Sequence, residues 1–590
     1  MKNKEYLDNL RHSAAHLLAA AVMELWPETK RTIGPAIDDG FYFDFEFKEP
    51  VSAEDMPKIE KRMKKLVTQW NKFERREVSK DEALAEYKGN QYKEELINEF
   101  AAEGQTLSFY DSGSYTDLCR GGHVDNPAKE LKHFKLLSVA GAYWRGDENK
   151  PMLTRIYGTA FATAQELEEF LQRRELARER DHKKLGKELG LFVFSETVGK
   201  GLPLWSPKGS TIRRVLERFI VDEEIRRGYL HVYTPDIASL DLYKKSGHYP
   251  YYKDSMYAPI SIDDEEYMLR PMTCPHHFEL YLSEQHSYRE LPMRIAELAQ
   301  LYRYEKSGEL MGLQRVRTFC LADAHIICRR EQAKEEINGV LDLIDFVCKT
   351  LGIEQGNGYS YRLSLGNRED ESKYYKNDEA WEEAEGVLRT VLLERNAEFI
   401  EAEDEAAFYG PKIDVQMRNV NGKEDTAFTV QYDFVMPGRF NLTFTNEEGE
   451  DEQAIVVHRS SIGAIERVMA FLIELYGGAF PVWLSPEQVR IIPISDENVP
   501  YAEKLAAQMR SSDIRVSIDA DSERMQSKVR KAQTEKIPYM LIVGKNEEAA
   551  ETVSLRYRSG EEVRDVPFAK FLEQLNLKVS TRLIEPQLDV

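Results

Sequence analysis

The stretch "LYRYEKSGELMGLQRVRTF", residues 301–319, sets two strand-like runs about a glycine-containing turn and surrounds that turn with charge. Arg303 and Glu305 end the first run, and Arg315 and Arg317 open the second, which reaches Phe319. Alternate residues of a strand share a face, so Arg303 and Glu305 are expected side by side. An arginine fork holds a phosphate, a carboxylate accepts from an adenine amino group, and a phenyl ring stacks on a base. These are the parts of a nucleotide site. Taken alone, they are equally the charged face of a solvated hairpin.

The commonest nucleotide cradles are missing: there is no G-x-x-x-x-G-K-[ST] loop and no G-x-G-x-x-G after a strand. A second candidate lies in "VVHRSSIGAIERVMAFLIE", residues 456–474. There a strand-like run ends near His458, and a small-residue turn leads through Gly463 into a helix carrying Arg467. An arginine in the first turns of a helix, behind a glycine that a ligand can approach, again suits phosphate.

Bulk properties bound the class. A length of 590 residues suggests about three to five domains, and 42% hydrophobic with 31% charged residues is an ordinary globular mixture. Cys119, Cys274, Cys320, Cys328 and Cys348 are too scattered for a disulfide framework, which points to a reducing compartment. A net charge of −22 argues against a protein that coats nucleic acid non-specifically. The apolar run near the N-terminus is interrupted by Arg11, His12 and His16 and lacks a clean cleavage site, so a signal peptide is not expected. No run approaches the roughly 18 apolar residues of a membrane span, and a cytoplasmic protein without a membrane partner is expected.

Along the chain, residues 1–163 mix helical patterns with alternating runs such as "GFYFDFEF". Residues 164–190 are charged, free of proline and helical in leucine spacing, as in a linker helix. Residues 191–484 form the largest block, rich in aromatic and strand-like segments. In residues 485–590, strand candidates "VRIIPIS", "IRVSID" and "YMLIVG" alternate with helical stretches, which suggests βαβ units.

The ordered set of motifs resembles the class II aminoacyl-tRNA synthetases. "FIVDEEIRRGYLHVYTP" looks like their motif 1, "RYE…RVRTF" like motif 2 and "GAIER" like motif 3. "TCPHH", "SGELMGLQRVRTF", "DAH", "FYGPKID", "TVQYDF" and "VVHR" match the bacterial threonyl branch, in the same order from residue 1 to about 575. The resemblance implies an α+β multidomain protein. Its parts would be an N-terminal α+β editing domain, a class II antiparallel-sheet catalytic core and a C-terminal α/β anticodon-binding domain. It implies a homodimer that activates L-threonine with ATP and Mg²⁺ and transfers it to tRNA(Thr). An inactive RNA-binding paralogue is the alternative; loss of Arg303 or Arg467 would favour it, and both are present.

Residue by residue, the resemblance places Arg303 at the α-phosphate and Glu305 at the adenine amino group. Phe319 stacks on adenine, and Arg315 and Arg467 hold the outer phosphates. One zinc ion per subunit falls to Cys274, His325 and His458, which are separated by far too many residues for any local spacing rule. Three protein ligands leave one position open for substrate. Asp323, Tyr409 and Gln431 line the threonine pocket by the same resemblance. His276 and His277, beside Cys274 in "RPMTCPHHFELYL" (270–282), are expected to be packing or channel residues. Leu321 stands near where the family commonly carries glutamine, and it cannot hydrogen-bond a carboxylate.

Serine differs from threonine by one methyl group, which a pocket discriminates by only about 1–3 kcal/mol, so a second, hydrolytic site is expected. "HSAAH" places His12 and His16 on one helix face, and "CRGGH" supplies Cys119 and His123. Spacing alone permits a four-ligand metal site. The resemblance instead implies metal-free editing of Ser-tRNA by these four with Lys93 and Asp117, because four filled positions leave a metal none open for catalysis. The family often carries a small ubiquitin-like domain before this region, and this sequence starts almost at "HSAAH". At the far end, "ERMQSKVRKAQTEK" (523–536) sets Arg524, Lys528, Arg530, Lys531 and Lys536 against Glu523 and Glu535, as a phosphate-facing element would. Glu547 and Arg556 match family positions that read anticodon bases, whereas Ser522 stands where the family often has asparagine.

Overall fold

The computed structural model describes residues 2–590, and the chain divides into two compact units at Arg174/Glu175. In the first unit, the helix Lys2–Leu25 packs on an antiparallel sheet whose central strand is Gly40–Glu46. That strand turns Phe41, Phe43 and Phe45 into the core against Ala14, Leu17 and Leu18 of the helix. Each buried phenylalanine stabilises the unit by roughly 1.5–3 kcal/mol relative to exposure. A second, three-stranded sheet (Glu74–Glu77, Ser108–Ser112, Tyr115–Leu118) carries Asp117.

The expected linker helix is two helices, Ala164–Glu179 and His182–Glu188. Asp181 starts the second, its side chain accepting from the Lys183 amide at 2.7 Å. An aspartate at such a position satisfies an amide that would otherwise lack a partner and favours a new helix start over continuation.

The second unit is built on an eight-stranded sheet. Its strands are β1 (Leu230–His231), β2 (Met293–Tyr302), β3 (Thr318–Cys328), β4 (Tyr359–Ser364), β5 (Phe399–Ala402), β6 (Lys412–Arg418), β7 (Glu424–Asp433) and β8 (Ile455–Ala464). Their order is β1-β2-β3-β8-β7-β6-β4-β5, antiparallel except at the two edge pairs. The two faces divide by residue type. Along β3, Cys320, Ala322, Ala324, Ile326 and Cys328 join a core with the helices α1 (Pro207–Arg226), α3 (Ala333–Thr350) and α4 (Ile465–Tyr476). The alternate residues of β3, Asp323 and His325, point to the other face, which forms the site. A short helix, α2 (Cys274–Tyr281), covers part of that face with Cys274, Phe278 and Tyr281 buried beneath it.

The C-terminal part is a five-stranded sheet in which Val516–Ile518, Val489–Pro493 and Tyr539–Val543 are parallel and Thr552–Tyr557 and Glu562–Pro567 antiparallel. Among the described residues no helix is long and apolar enough to cross a membrane.

Candidate functional site

Strand register assembles the centre of the second unit. His325 on β3 is directly opposite His458 on β8, and Gln431 on β7 is opposite His458 from the other side. On the far flank of β3, Glu297 of β2 stands opposite Asp323. Directly paired residues project to one face, so five polar side chains from four strands converge there. Cys274, at the start of α2, comes down on the same face. The ligand atoms of Cys274, His325 and His458 lie within 4.8 Å of one another.

The donor chemistry fits a divalent cation. His458 Nε2 and Asp433 Oδ2 are 2.7 Å apart, so Nε2 donates to the carboxylate and Nδ1 is left with its lone pair. Burial, then the neighbouring His458 and His277, holds His325 well below its ordinary value, so its ring is neutral. Burial, then the charges of Asp323 and Asp433, drives the Cys274 thiol upward. A thiol surrounded by carboxylates ionises readily only with a cation beside it, which is what a metal supplies.

A cavity of about 580 Å³ opens from this cluster. Its lining includes Arg303, Glu305, Arg315, Phe319 and Arg467, together with Leu321, Asp323, Tyr409 and Gln431. The two strands of the 301–319 hairpin stop at Tyr302 and restart at Thr318. Arg303, Glu305 and Arg315 therefore lie in the connecting loop rather than on strand faces as alternation predicts. The Arg303 guanidinium stands 5.1 Å from the Phe319 ring centroid, and Arg315 Nε donates to Glu305 at 2.7 Å. Arg467 reaches the Thr426 carbonyl at 2.8 Å, and burial, then the like charge of nearby Arg303 and Arg315, holds it below its ordinary value. Three arginines facing one cavity form a site for an anion with several oxygens. At the metal end, the Tyr409 hydroxyl donates to Gln431 at 2.5 Å, and the Tyr409 ring stacks on His458 at 5.0 Å.

Two neighbours of the cluster were not anticipated. His277 is fully buried, as a packing residue is, and in addition lies 2.8 Å from His325, Nδ1 to Nδ1. His276 turns the other way, toward Tyr243. The usable signal was helical spacing: Cys274 and His277 are i and i+3, hence on one face. Glu297, the sole acid in the apolar run "MRIAELAQLY", is 3.3 Å from His277 Nε2. Burial alone would raise the Glu297 carboxyl, but bonds from His277 and Thr234 and the Arg270 charge bring it to about 2.

The first unit holds the other cluster. Ligand-type atoms of His12, His16, Cys119 and His123 also lie within 4.8 Å of one another. Cys119 Sγ is 3.5 Å from His12 Nε2 and 3.4 Å from His123 Nε2. Behind them Asp117 accepts from Lys93 at 2.7 Å, from Tyr87 at 2.6 Å and from Tyr115 at 2.9 Å. Burial opposes ionisation of Asp117, yet Lys93 and Arg31 hold it well below the carboxylate range. Burial pushes Cys119 up to about 11, and burial with the His12 charge brings His123 down to about 3. A cavity of about 370 Å³ lies beside His12, His16, Lys93, Asp117 and Cys119.

In the C-terminal sheet, Glu547 accepts from the Gly544 amide and the Ser554 hydroxyl, both at 2.9 Å, while Arg556 on the same strand as Ser554 pairs with Glu562. Of the basic stretch 523–536, Lys528 turns inward to the Asp519 carbonyl at 3.0 Å, so that lysine is not free to face phosphate.

Comparison with known proteins places these sites in a family. Residues 257–476 match the tRNA synthetase class II core domain (G, H, P, S and T), residues 488–577 an anticodon binding domain, and residues 107–157 the threonyl and alanyl tRNA synthetase second additional domain. A threonine-tRNA ligase of Geobacillus sp. (strain WCH70) is 50% identical over 98% of this chain and 89% of its own length. That of Streptococcus sanguinis is 47% identical over 98% and 90%. The solved RNA binding domain of threonyl-tRNA synthetase from Cryptosporidium parvum superposes with a TM-score of 0.64 at 35% identity, covering 69% of this chain and 99% of that one. On identity of this order across nearly its whole length, the chain belongs to the threonine-tRNA ligase family.

Proposed function

We propose that this chain is a threonine-tRNA ligase that activates L-threonine with ATP, transfers it to tRNA(Thr) and hydrolyses mischarged Ser-tRNA(Thr). One observation carries the proposal: the Cys274–His325–His458 donor set and the three arginines open into a single cavity. Family membership supports the same reading.

Arg303 grips the α-phosphate and the substrate carboxylate, Phe319 and Glu305 hold adenine, and Arg315 and Arg467 hold the outer phosphates with Mg²⁺. No side chain acts as a nucleophile. The threonine carboxylate attacks the α-phosphorus in line and pyrophosphate leaves, so the residues supply alignment and charge neutralisation. A zinc ion held by Cys274, His325 and His458 would supply a Lewis acid with an open position for the amino and hydroxyl groups of threonine. Asp323, Tyr409 and Gln431 complete that pocket.

Serine presents the same two groups, so the pocket cannot reject it well. Residues 1–163 are proposed as the editing domain, in which His12, His16, Cys119 and His123, backed by Lys93 and Asp117, position water at the ester without metal. Residues 191–484 are the catalytic domain. Residues 485–590 bind the anticodon through Glu547 and Arg556. The homodimer is supported by the exposed apolar side chains of the motif 1 stretch and its edge strand, Ile225, Leu230 and, at 94% exposure, Tyr233. The chain would work in the cytoplasm.

Amino-acid-dependent ATP–pyrophosphate exchange tests the activity. Threonine should drive exchange; exchange driven by proline or by serine but not threonine would sink the proposal.

A further inference from the structure

Glu297 is held by donors that leave its oxygens no choice of role. Oε1 accepts from Arg270 at 3.0 Å and from the Thr234 amide at 3.2 Å, and Oε2 accepts from the Thr234 hydroxyl at 2.7 Å. Arg270 is itself fixed, buried and bonded to Asp236, Thr234 and the Gln300 carbonyl. The remaining contact of Oε2 is His277 Nε2, at 3.3 Å. An ionised carboxylate only accepts, so the proton is on His277 Nε2.

A neutral imidazole with its proton on Nε2 has a lone pair on Nδ1. His277 Nδ1 faces His325 Nδ1 at 2.8 Å, so His325 must be the donor. That leaves His325 Nε2 bare. The same logic operates one strand away, where Asp433 fixes His458 directly at 2.7 Å. We propose that Glu297, acting through His277, sets the proton of His325 on Nδ1 and so keeps Nε2 as the open donor toward Cys274 and His458. The inference rests on reading those three as metal ligands. Glu297 and His277 are positioning residues, since neither reaches the cavity side of the cluster.

The relay has a sense of direction that a substitution can reverse. In Glu297→Gln, Arg270 and the Thr234 amide, both obligatory donors, hold the amide oxygen at the Oε1 place. The amide nitrogen then occupies the Oε2 place and donates to His277 Nε2. His277 moves its proton to Nδ1, becomes the donor to His325, and leaves the His325 proton on Nε2, where a metal would bind. Volume is conserved, and the Thr234 hydroxyl, which donates to Oε2 in the wild type, turns to accept from the second hydrogen of the amide nitrogen. In His277→Asn, the side-chain oxygen can still accept from His325 Nδ1, whereas His277→Phe removes the acceptor and keeps a ring.

The test has two readouts on the full chain. In metal-free, ¹⁵N-histidine-labelled protein, NMR should find His325 protonated at Nδ1 in the wild type and at Nε2 in Glu297→Gln. In competition with a chromophoric chelator, Zn²⁺ affinity should fall about 10–100-fold in Glu297→Gln and His277→Phe, the usual cost of losing the partner that orients a ligand. His277→Asn should bind close to wild type. An Nε2-protonated His325 in the wild type, an unchanged Glu297→Gln, or a His277→Asn no better than His277→Phe overturns the relay. Wild-type protein with the Nδ1 tautomer but no zinc affinity would uphold the relay and overturn the metal reading instead.

Discussion

His325 and His458 stand directly opposite each other on adjacent antiparallel strands, with ring centroids 4.7 Å apart and planes crossing at 88°. Each ring has one nitrogen committed, to His277 and to Asp433, so each offers its other nitrogen to the space beneath Cys274. Sheet register rather than sequence spacing makes this pair. If a metal there binds the substrate hydroxyl, valine should be rejected strongly and serine weakly. Relative to threonine, kcat/KM in pyrophosphate exchange should fall roughly 10⁴-fold or more for valine and only about 10–200-fold for serine. Serine excluded as strongly as valine would remove the need for an editing site.

Arg303 lies over Phe319 and faces the cavity beside Glu305. Lysine keeps the charge but loses the planar fork and the stacking face. Arg303→Lys is therefore expected to lower the rate of adenylate formation on the order of 10²-fold, as loss of one preorganised donor does. Single-turnover kinetics measure it. A change confined to the KM for ATP would make Arg303 a simple ground-state binder.

His12 and His16 belong to the first unit and line its cavity, whereas Arg303, Arg315 and Arg467 line one in the second unit. The double variant His12→Ala/His16→Ala should retain threonylation and accumulate Ser-tRNA(Thr). Deacylation assays with preformed Ser-tRNA check it; wild-type hydrolysis in the variant would refute the editing assignment.

Acid should act on the same cluster. The His12, His16 and His123 imidazoles are all pushed below their ordinary 6.5, each by burial first, and His123 to about 3. His123 is neutral throughout pH 6–8, and the downward direction of all three places any inflection of Ser-tRNA hydrolysis from this cluster below 6.5 rather than at it. The unfolded chain takes up these protons sooner than the folded one. Stability is therefore complete above about 6.5 and declines as pH falls from there toward about 3. Thermal melts should show a shallower decline in His123→Asn. An equal slope means His123 titrates normally in the fold.

Legibility followed the range of the interactions. The strand "GFYFDFEF" and the alternating C-terminal segments were readable because their burial is set by residues two to four apart. The break at Arg180–Asp181 depends on one capping aspartate within an otherwise helical charge pattern. Lys528 resembles its exposed neighbours in sequence, and only the fold turns it inward. The cluster of Cys274, His325 and His458 is a product of register between distant strands, so only family resemblance pointed to it. His277 was obscured differently: it touches His325 rather than joining the Cys274–His325–His458 set, and in "TCPHH" only its i+3 spacing from Cys274 separates it from His276.

The most direct measurement of the central claim is zinc K-edge X-ray absorption on the Cys119→Ala protein, with and without threonine. That background removes the sulfur of the other cluster and leaves Cys274 the sole cysteine within a ligand cluster among the described residues. The expected spectrum has one sulfur and two imidazole scatterers, with a first shell that changes when threonine is added. Absence of bound zinc, a sulfur-free shell, or a shell that threonine leaves unaltered would contradict it.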